Sequence, residues 1–338
     1  MIANHEGGGS FSWPHADRTG AYRNRFLLSD RHNLCYAAVD KAACTTMKWW
    51  LVDMEGIRDD VMEYLSRVKD PKTVHNAYGI VAPHLVPRSF GQIKAVFASG
   101  RYFCFSVVRN PYTRLFSAWS DKILQGRNDA IRYSLDNSRV YAGAPFSLRE
   151  AQASLENFLV YLHETPGMLY ANRHWMPQFF LLRPDLLSYS LIARLEAPDD
   201  LRAALAEKIG QEYIDPFMRE RAKNSSQISY HPDFLSDTAA RLIRELYADD
   251  FTWFGYDPGS IPPGKGELDV EKTRQQLVIL ARQRIGYAYR RLARLEQEKR
   301  ELRVSASKAF QLLVSSLKEK FRVPLERLLY SASRRLKK

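Results

Sequence analysis

The chain holds 338 residues, with 50 Lys plus Arg against 38 Asp plus Glu and a formal net charge of +12. Hydrophobic residues make up 45% and charged residues 26%, which excludes a disordered polymer and a membrane bundle. No apolar run approaches the roughly 18 residues that a bilayer crossing needs.

In chain order, residues 1–29 read as a flexible lead-in. They begin MIANHEGGGSFSWPH, without the basic start or apolar stretch of a signal peptide, which predicts a cytoplasmic protein. Asn33 to Val39 is short, apolar and strand-like, and it runs through Asp40-Lys41-Ala42-Ala43-Cys44-Thr45-Thr46 into a helix near Met47. The pattern repeats with a strand over Tyr102 to Val108, a turn at Arg109-Asn110-Pro111 and a helix over Tyr112 to Leu124. Pro111 suits a first helical turn, where its missing N–H costs nothing. Ser154 to His163 reads as helix, Tyr189 to Glu196 as strand and Asp237 to Tyr247 as amphipathic helix. This alternation predicts an α/β domain over residues 30–260, with a central parallel sheet flanked by helices.

The Ile261-Pro262-Pro263-Gly264 punctuation separates off residues 265–338. These carry 20 Lys/Arg and 8 Asp/Glu, leaving 30 of each sign before them, so a neutral body carries a basic helical extension. A heptad register over Glu271 to Phe321 places Val278, Ala281, Ile285, Ala288, Leu292, Leu295, Lys299, Leu302, Ala306, Ala309 and Leu313 on one seam. The expectation is a coiled-coil-like element, ended or kinked at Pro324 and able to pair two copies. Three cysteines, Cys35, Cys44 and Cys104, in no Cys-x-x-Cys spacing predict free thiols and no metal site.

Each strand–turn–helix unit presents unpaired backbone N–H groups and the positive end of a helix dipole, which suit an anion. In the first turn Lys41 and Lys48 supply charge, Thr45 and Thr46 supply hydroxyls, and the small Ala42 and Ala43 let the backbone come close. The alternative is a surface loop with a solvated lysine and a Thr cap. The second turn offers Arg109, then Arg114 and Ser117 on the helix behind it, against the alternative of an arginine paired with Asp121. No G-x-x-x-x-G-K-[ST] occurs, which argues against a kinase-like P-loop enzyme.

Together, DKAACTTMK and FSVVRNPYTRLFSAWSDKI resemble the carbohydrate sulfotransferases that use 3′-phosphoadenosine 5′-phosphosulfate (PAPS). The resemblance is nearest to the membrane-anchored Golgi chondroitin, dermatan and HNK-1 type branch. It extends over roughly residues 30–257 through His174-Trp175-Met176-Pro177-Gln178, Ile192 to Glu196, Asn224-Ser225-Ser226 and Asp250 to Tyr256. It implies a P-loop-like sulfotransferase fold. It also implies that Lys41, Ala42, Ala43, Cys44, Thr45, Thr46 and Lys48 wrap the 5′-phosphosulfate, while Arg109 and Ser117 hold the 3′-phosphate. This chain departs from the family with Asp40 in place of Pro, Met47 in place of Trp and Asn110 in place of Asp. It also lacks the cysteine pair that often follows the HW-x-PQ segment, which suggests a bacterial-like cytoplasmic relative.

The implied reaction is in-line sulfuryl transfer to a carbohydrate or glycolipid hydroxyl, driven by positioning and electrostatics and needing no metal. Lys41 or Lys48 would stabilise the leaving phosphate. A general base is sought among His75, His84, His174 and Glu196, with His75 preferred because it lies between the two phosphate motifs. His174 and Glu196 are expected to contact substrate. Trp49, Trp50, Tyr112 and Trp119 read as core. A competing reading is a non-catalytic protein that binds a membrane or nucleic acid through the basic extension. The neutral body argues against it, nucleic acid above all. Peripheral contact with an anionic inner membrane face remains an expectation for the extension.

Overall fold

In the computed structural model of this chain, residues 25–68, 74–124, 145, 147–218 and 228–335 are described. The Asn224-Ser225-Ser226 segment, residues 1–24 of the lead-in and the last three residues of the basic tip lie outside them. The chain divides into two compact units, Met1–Ala281 and Arg282–Lys338.

The first unit is a mixed α/β structure around a four-stranded sheet, ordered β1 (Phe26–Ser29), β2 (Leu34–Ala37), β3 (Phe103–Val108) and β4 (Leu191–Arg194). β2, β3 and β4 run parallel, with Leu34 opposite Phe103 and Val108 opposite Arg194. β1 pairs antiparallel with β2, so the sheet is not wholly parallel and the lead-in is shorter than residues 1–29. Three apolar residues and a serine behind a polar stretch give too little periodicity to mark a strand, yet Phe26 and Leu27 are fully buried.

The crossover from β2 to β3 contains α1 (Cys44–Met54), α2 (Arg58–Arg67), α3 (Val74–Val81) and α4 (Phe90–Ala98). The crossover from β3 to β4 contains α5 (Pro111–Ala118), a π-helical stretch (Trp119–Leu124), α6 (Leu148–Glu164), α7 (Pro166–Ala171) and α8 (Gln178–Leu182). After β4 come α9 (Asp199–Ile209), α10 (Asp237–Leu246), α11 (Ala248–Phe254) and α12 (Val270–Arg335). Because β2 and β3 are parallel neighbours, their carboxyl ends lie at the same edge of the sheet. The two polar turns therefore emerge side by side, where open α/β sheets hold ligands.

Two apolar clusters hold this unit together. One surrounds the sheet, with Tyr36, Phe105, Trp50 and Tyr78 buried between strands and helices. The other packs α5, α6, α10 and α11 around Trp119, Phe158, Trp175 and Tyr247. Each large apolar side chain buried this way contributes about 1.5–3 kcal/mol. Trp50, Tyr112 and Trp119 are core, as expected, while Trp49 is half-buried under the Arg58 guanidinium. The three cysteines are free and buried.

The start of α12 closes the second cluster. Thr273, Leu277, Leu280 and Ala281 are buried there; Ala281 lies on the expected seam, Val278 is half-buried, and Leu277 and Leu280 stand beside the seam. Beyond Ala281 the helix forms the second unit, with Leu292, Leu302 and Phe310 exposed within the single chain. Pro324, expected to end or kink the helix, lies inside it, since α12 continues to Arg335. No helix among the described residues is long and apolar enough to cross a membrane.

Candidate active site

The first turn carries strain at two residues that are not glycine: Lys41 has φ 69° and Ala43 has φ 56°. Left-handed conformations at such residues cost of order 1–3 kcal/mol each and turn backbone N–H groups toward a common concavity. Ala43 is the N-cap of α1 and supplies no capping side chain, and no acidic residue occupies the first turn. The amino end of the 11-residue helix α1 is thus prepared for an acceptor from outside the chain. A solvated lysine with a Thr cap, the alternative for this loop, does not form.

The cations around this turn range from fully buried to half-buried. Lys48 is 2% exposed, and burial pulls its ammonium down to about 8, with Cys44 and Asp40 pulling the other way. Burial also lowers Lys41, which pairs with Asp121 on the π-helical stretch. Asp121 is shared with Lys122 at 3.1 Å, and the two lysines outweigh burial and hold its carboxyl well below the usual range. Asp121 therefore partners lysines rather than an arginine of the second turn. Asp40, the residue that departs from the family pattern, is paired with Arg173 at 3.3 Å. Burial would raise its carboxyl, but Arg173, His174, Arg25 and Lys48 outweigh that and keep it ionised. Its negative charge is thereby absorbed by a ring of cations.

The second turn is fixed by its own cap: the Asn110 side chain accepts from Tyr112 N at 3.0 Å, and Pro111 occupies the first helical position. Arg109 is half-buried. Its Nε donates to Thr113 Oγ1 at 3.0 Å and its Nη1 to the Lys41 carbonyl at 3.3 Å, so its guanidinium reaches the first turn. Burial lowers its pKa, opposed by Glu196. Arg114 is almost fully buried and joins three segments, donating from Nε to the Asp40 carbonyl at 3.0 Å and from Nη2 to the Arg173 carbonyl at 3.2 Å. It fastens the turns together. Ser117 is half-buried on α5, two turns behind Arg109.

His75 on α3 faces the first turn, its Nε2 3.4 Å from Thr45 Oγ1, while its buried Nδ1 has no hydrogen-bond partner among the described residues. Burial, helped by Lys48, lowers it to about 4. His174 sits nearby in the same cationic surroundings, lowered by burial first to about 3. Its Nδ1 lies 2.7 Å from Asn172 Oδ1, which assigns the proton to Nδ1 and leaves the Nε2 lone pair as acceptor. Both rings are neutral at pH 7. Glu196 is exposed, with Oε1 accepting from Asn110 N at 2.9 Å and Oε2 from the Tyr256 hydroxyl at 2.9 Å. Its carboxylate braces the second turn.

Lys41, Thr45, Lys48 and His75 thus meet at one place, with Arg109 tied to it and His174 close by. Sequence reasoning misses Arg173 and Arg25, which counter Asp40, and the Asp121 contact to Lys41. Arg173 directly precedes His174, and that adjacency is its one local signal. Among the described residues no group of His, Cys, Asp and Glu is arranged to hold a metal.

A model of the sulfotransferase family matches residues 24–257, which takes in the sheet and both turns. The chain belongs to the sulfotransferase family. It is 32% identical to carbohydrate sulfotransferase 14 of Homo sapiens over 239 residues, covering 68% of this chain and 59% of that protein. It is 27% identical to carbohydrate sulfotransferase 12 of Mus musculus over 256 residues, with 69% and 60% covered. It is 25% identical to carbohydrate sulfotransferase 10 of Xenopus laevis over 251 residues, with 69% and 67% covered. The match spans about 60% of the length of the first two relatives. No solved structure matches this sulfotransferase chain. The expected cytoplasmic placement, with contact at an inner membrane face, is corrected: these relatives are carbohydrate sulfotransferases, and neither they nor the described residues support it.

Proposed function

We propose that this chain is an enzyme that moves a sulfuryl group from PAPS to a hydroxyl of a carbohydrate or glycolipid acceptor. The observation that carries this reading is the Arg109 guanidinium bonded to the Lys41 carbonyl, which makes one anion site from two turns. One ligand with two phosphates matches two adjacent cationic turns, the first of them uncapped, better than two independent anions would. The strained curl at Lys41 and Ala43, the uncapped amino end of α1 and the buried Lys48 fit such a ligand.

When bound, the donor supplies an activated sulfuryl group on a phosphate leaving group. The first turn, with Ala42, Ala43 and Cys44 offering backbone and Thr45 and Thr46 offering hydroxyls, would hold the 5′ end in P-loop-like fashion. Arg109 and Ser117 would hold the 3′-phosphate. Lys48, buried and charged with a depressed pKa, opposes negative charge where water is scarce, and electrostatic stabilisation is strongest there. Lys41 adds a second cation once it leaves Asp121. His75 is the proposed base, taking the acceptor proton at Nε2, the atom now facing Thr45. An adjacent dianion raises its pKa from about 4 toward the value a base needs. His174 would orient the acceptor through Nε2, and Glu196 would keep the second turn in shape.

We read residues 30–260 as the catalytic domain and residues 265–338 as an accessory extension. Its net charge of +12 would draw an acidic glycan toward the chain. Pairing of two copies through α12 would leave that attraction in place. The test is transfer of labelled sulfate from PAPS to a panel of desulfated glycosaminoglycans and glycolipids. Wild type should label at least one acceptor, and Lys48→Met should lose about 100-fold or more, the scale of a lost electrostatic group. A wild type that binds donor yet labels no saccharide in the panel would refute the acceptor class.

A further inference from the structure

Asp250 is fully buried at the start of α11, behind the second turn. Its Oδ2 accepts from Gln178 N at 2.9 Å and Gln178 Nε2 at 3.2 Å, and its Oδ1 accepts from Phe179 N at 2.8 Å. An ionised carboxylate only accepts, so all three neighbours must present N–H groups. That requirement selects one orientation of the Gln178 amide. In this orientation Gln178 Nε2 also donates to the Arg109 carbonyl at 2.8 Å, and Gln178 Oε1 accepts from Arg109 N at 2.9 Å. The amide thus pairs with both backbone groups of Arg109, as a neighbouring strand would. It does so at the residue where β3 has ended and the turn begins. Gln178 is itself fully buried, so water does not replace either bond at low cost.

We propose that Asp250 is a positioning residue for the donor's 3′-phosphate, acting through the oriented Gln178 amide on the backbone of Arg109. Asparagine at 250 brings an NH₂ group either against Phe179 N or against Gln178 N and Nε2. Against Gln178, the relief is a flipped Gln178 amide, which then meets Arg109 donor to donor and acceptor to acceptor. The Arg109 backbone shifts and its guanidinium loses aim, while the first turn loses only the Arg109 bond to the Lys41 carbonyl and keeps Lys48 and the amino end of α1. Burial raises Asp250 to about 6 against the pull of Arg114 and the three N–H groups, so the site tolerates an ionised carboxylate only because those groups are in place.

This inference rests on the PAPS reading, and the experiment separates the two. Calorimetry on the full chain compares 3′-phosphoadenosine 5′-phosphate with adenosine 5′-phosphosulfate, which lacks the 3′-phosphate. The proteins are wild type, Asp250→Asn, Gln178→Glu, Arg109→Ala and the Arg109→Ala/Asp250→Asn double variant. Asp250→Asn should weaken the 3′-phosphorylated ligand about tenfold, the worth of one well-placed buried bond, and leave adenosine 5′-phosphosulfate unchanged. In the Arg109→Ala background it should cost nothing further, because the arm it aims is gone. Equal losses for both ligands, or a full additional loss in the double variant, would overturn the proposal and leave Asp250 a general support of the fold. If Asp250→Asn does not fold, Gln178→Glu carries the same test, since a carboxylate there faces Asp250 and cannot donate to the Arg109 carbonyl. Wild type that binds neither ligand refutes the PAPS reading instead.

Discussion

His75 and Lys48 set the chemistry available at the site, and burial sets both. His75 is neutral in the fold down to about pH 4, whereas an unfolded histidine takes its proton near 6.5. As pH falls through that window the unfolded state binds the proton first, so stability is lost progressively between about 6.5 and 4. The loss is of order 3 kcal/mol at its low end. Thermal unfolding of wild type and His75→Gln at pH 7 and pH 4.5 tests this, the variant being expected to show a shallower acid slope; identical slopes would mean that His75 does not set the acid limit. Binding of a phosphate-bearing nucleotide should also raise the His75 pKa, so binding near pH 5 should take up protons. Calorimetry in buffers of different ionisation enthalpy reads that uptake directly. No dependence on the buffer would contradict the placement of His75 beside the anion.

Among the elements, the π-helical stretch behind α5 is the one that conditions the first turn. A continuous helix is legible in the sequence over Tyr112 to Leu124, but its last turn widens, as π turns tend to at functional sites, and carries Asp121 to Lys41. Asp121→Asn removes the carboxylate that competes with an anion for Lys41. Affinity for 3′-phosphoadenosine 5′-phosphate should rise about twofold to fivefold, the range for a partly exposed pair. Weaker binding would instead make Asp121 a support of the lysine. The turns themselves can be read from sequence because a buried strand, a polar turn and a capped or uncapped helix start each leave a local mark. The Asp121 contact cannot, because its partner is 80 residues away and only the fold brings them together. Strand β1 escapes for a related reason: its four residues owe their conformation to pairing with β2 rather than to any pattern of their own.

At the scale of the whole molecule, the Pro-Pro-Gly punctuation at 262–264 marks a change of composition but not the end of the packed body. Leu277, Leu280 and Ala281, beyond it, close the second apolar cluster. A chain cut at Gly264 should therefore lose about 3–5 kcal/mol relative to one cut at Ala281, from two buried leucines and an alanine. Denaturant unfolding of the two truncated chains checks this, and equal midpoints would show that the start of α12 adds nothing. Charge separates the basic extension from the body in the sequence itself, because net charge accumulates along the chain. Burial depends on which face of a helix meets a surface, and a heptad register alone marks Ala281 but passes over its buried neighbours Leu277 and Leu280.

The proposed function joins the two turns in one site for a nucleotide carrying phosphates at both ends, and calorimetric titration of 3′-phosphoadenosine 5′-phosphate into wild type and Arg109→Ala tests this without intermediaries. Binding to wild type should be saturable. It should be about tenfold to 100-fold weaker in the variant, the range for a lost charge-assisted bond. A folded wild type that does not bind, or binding indifferent to Arg109, would contradict a shared site.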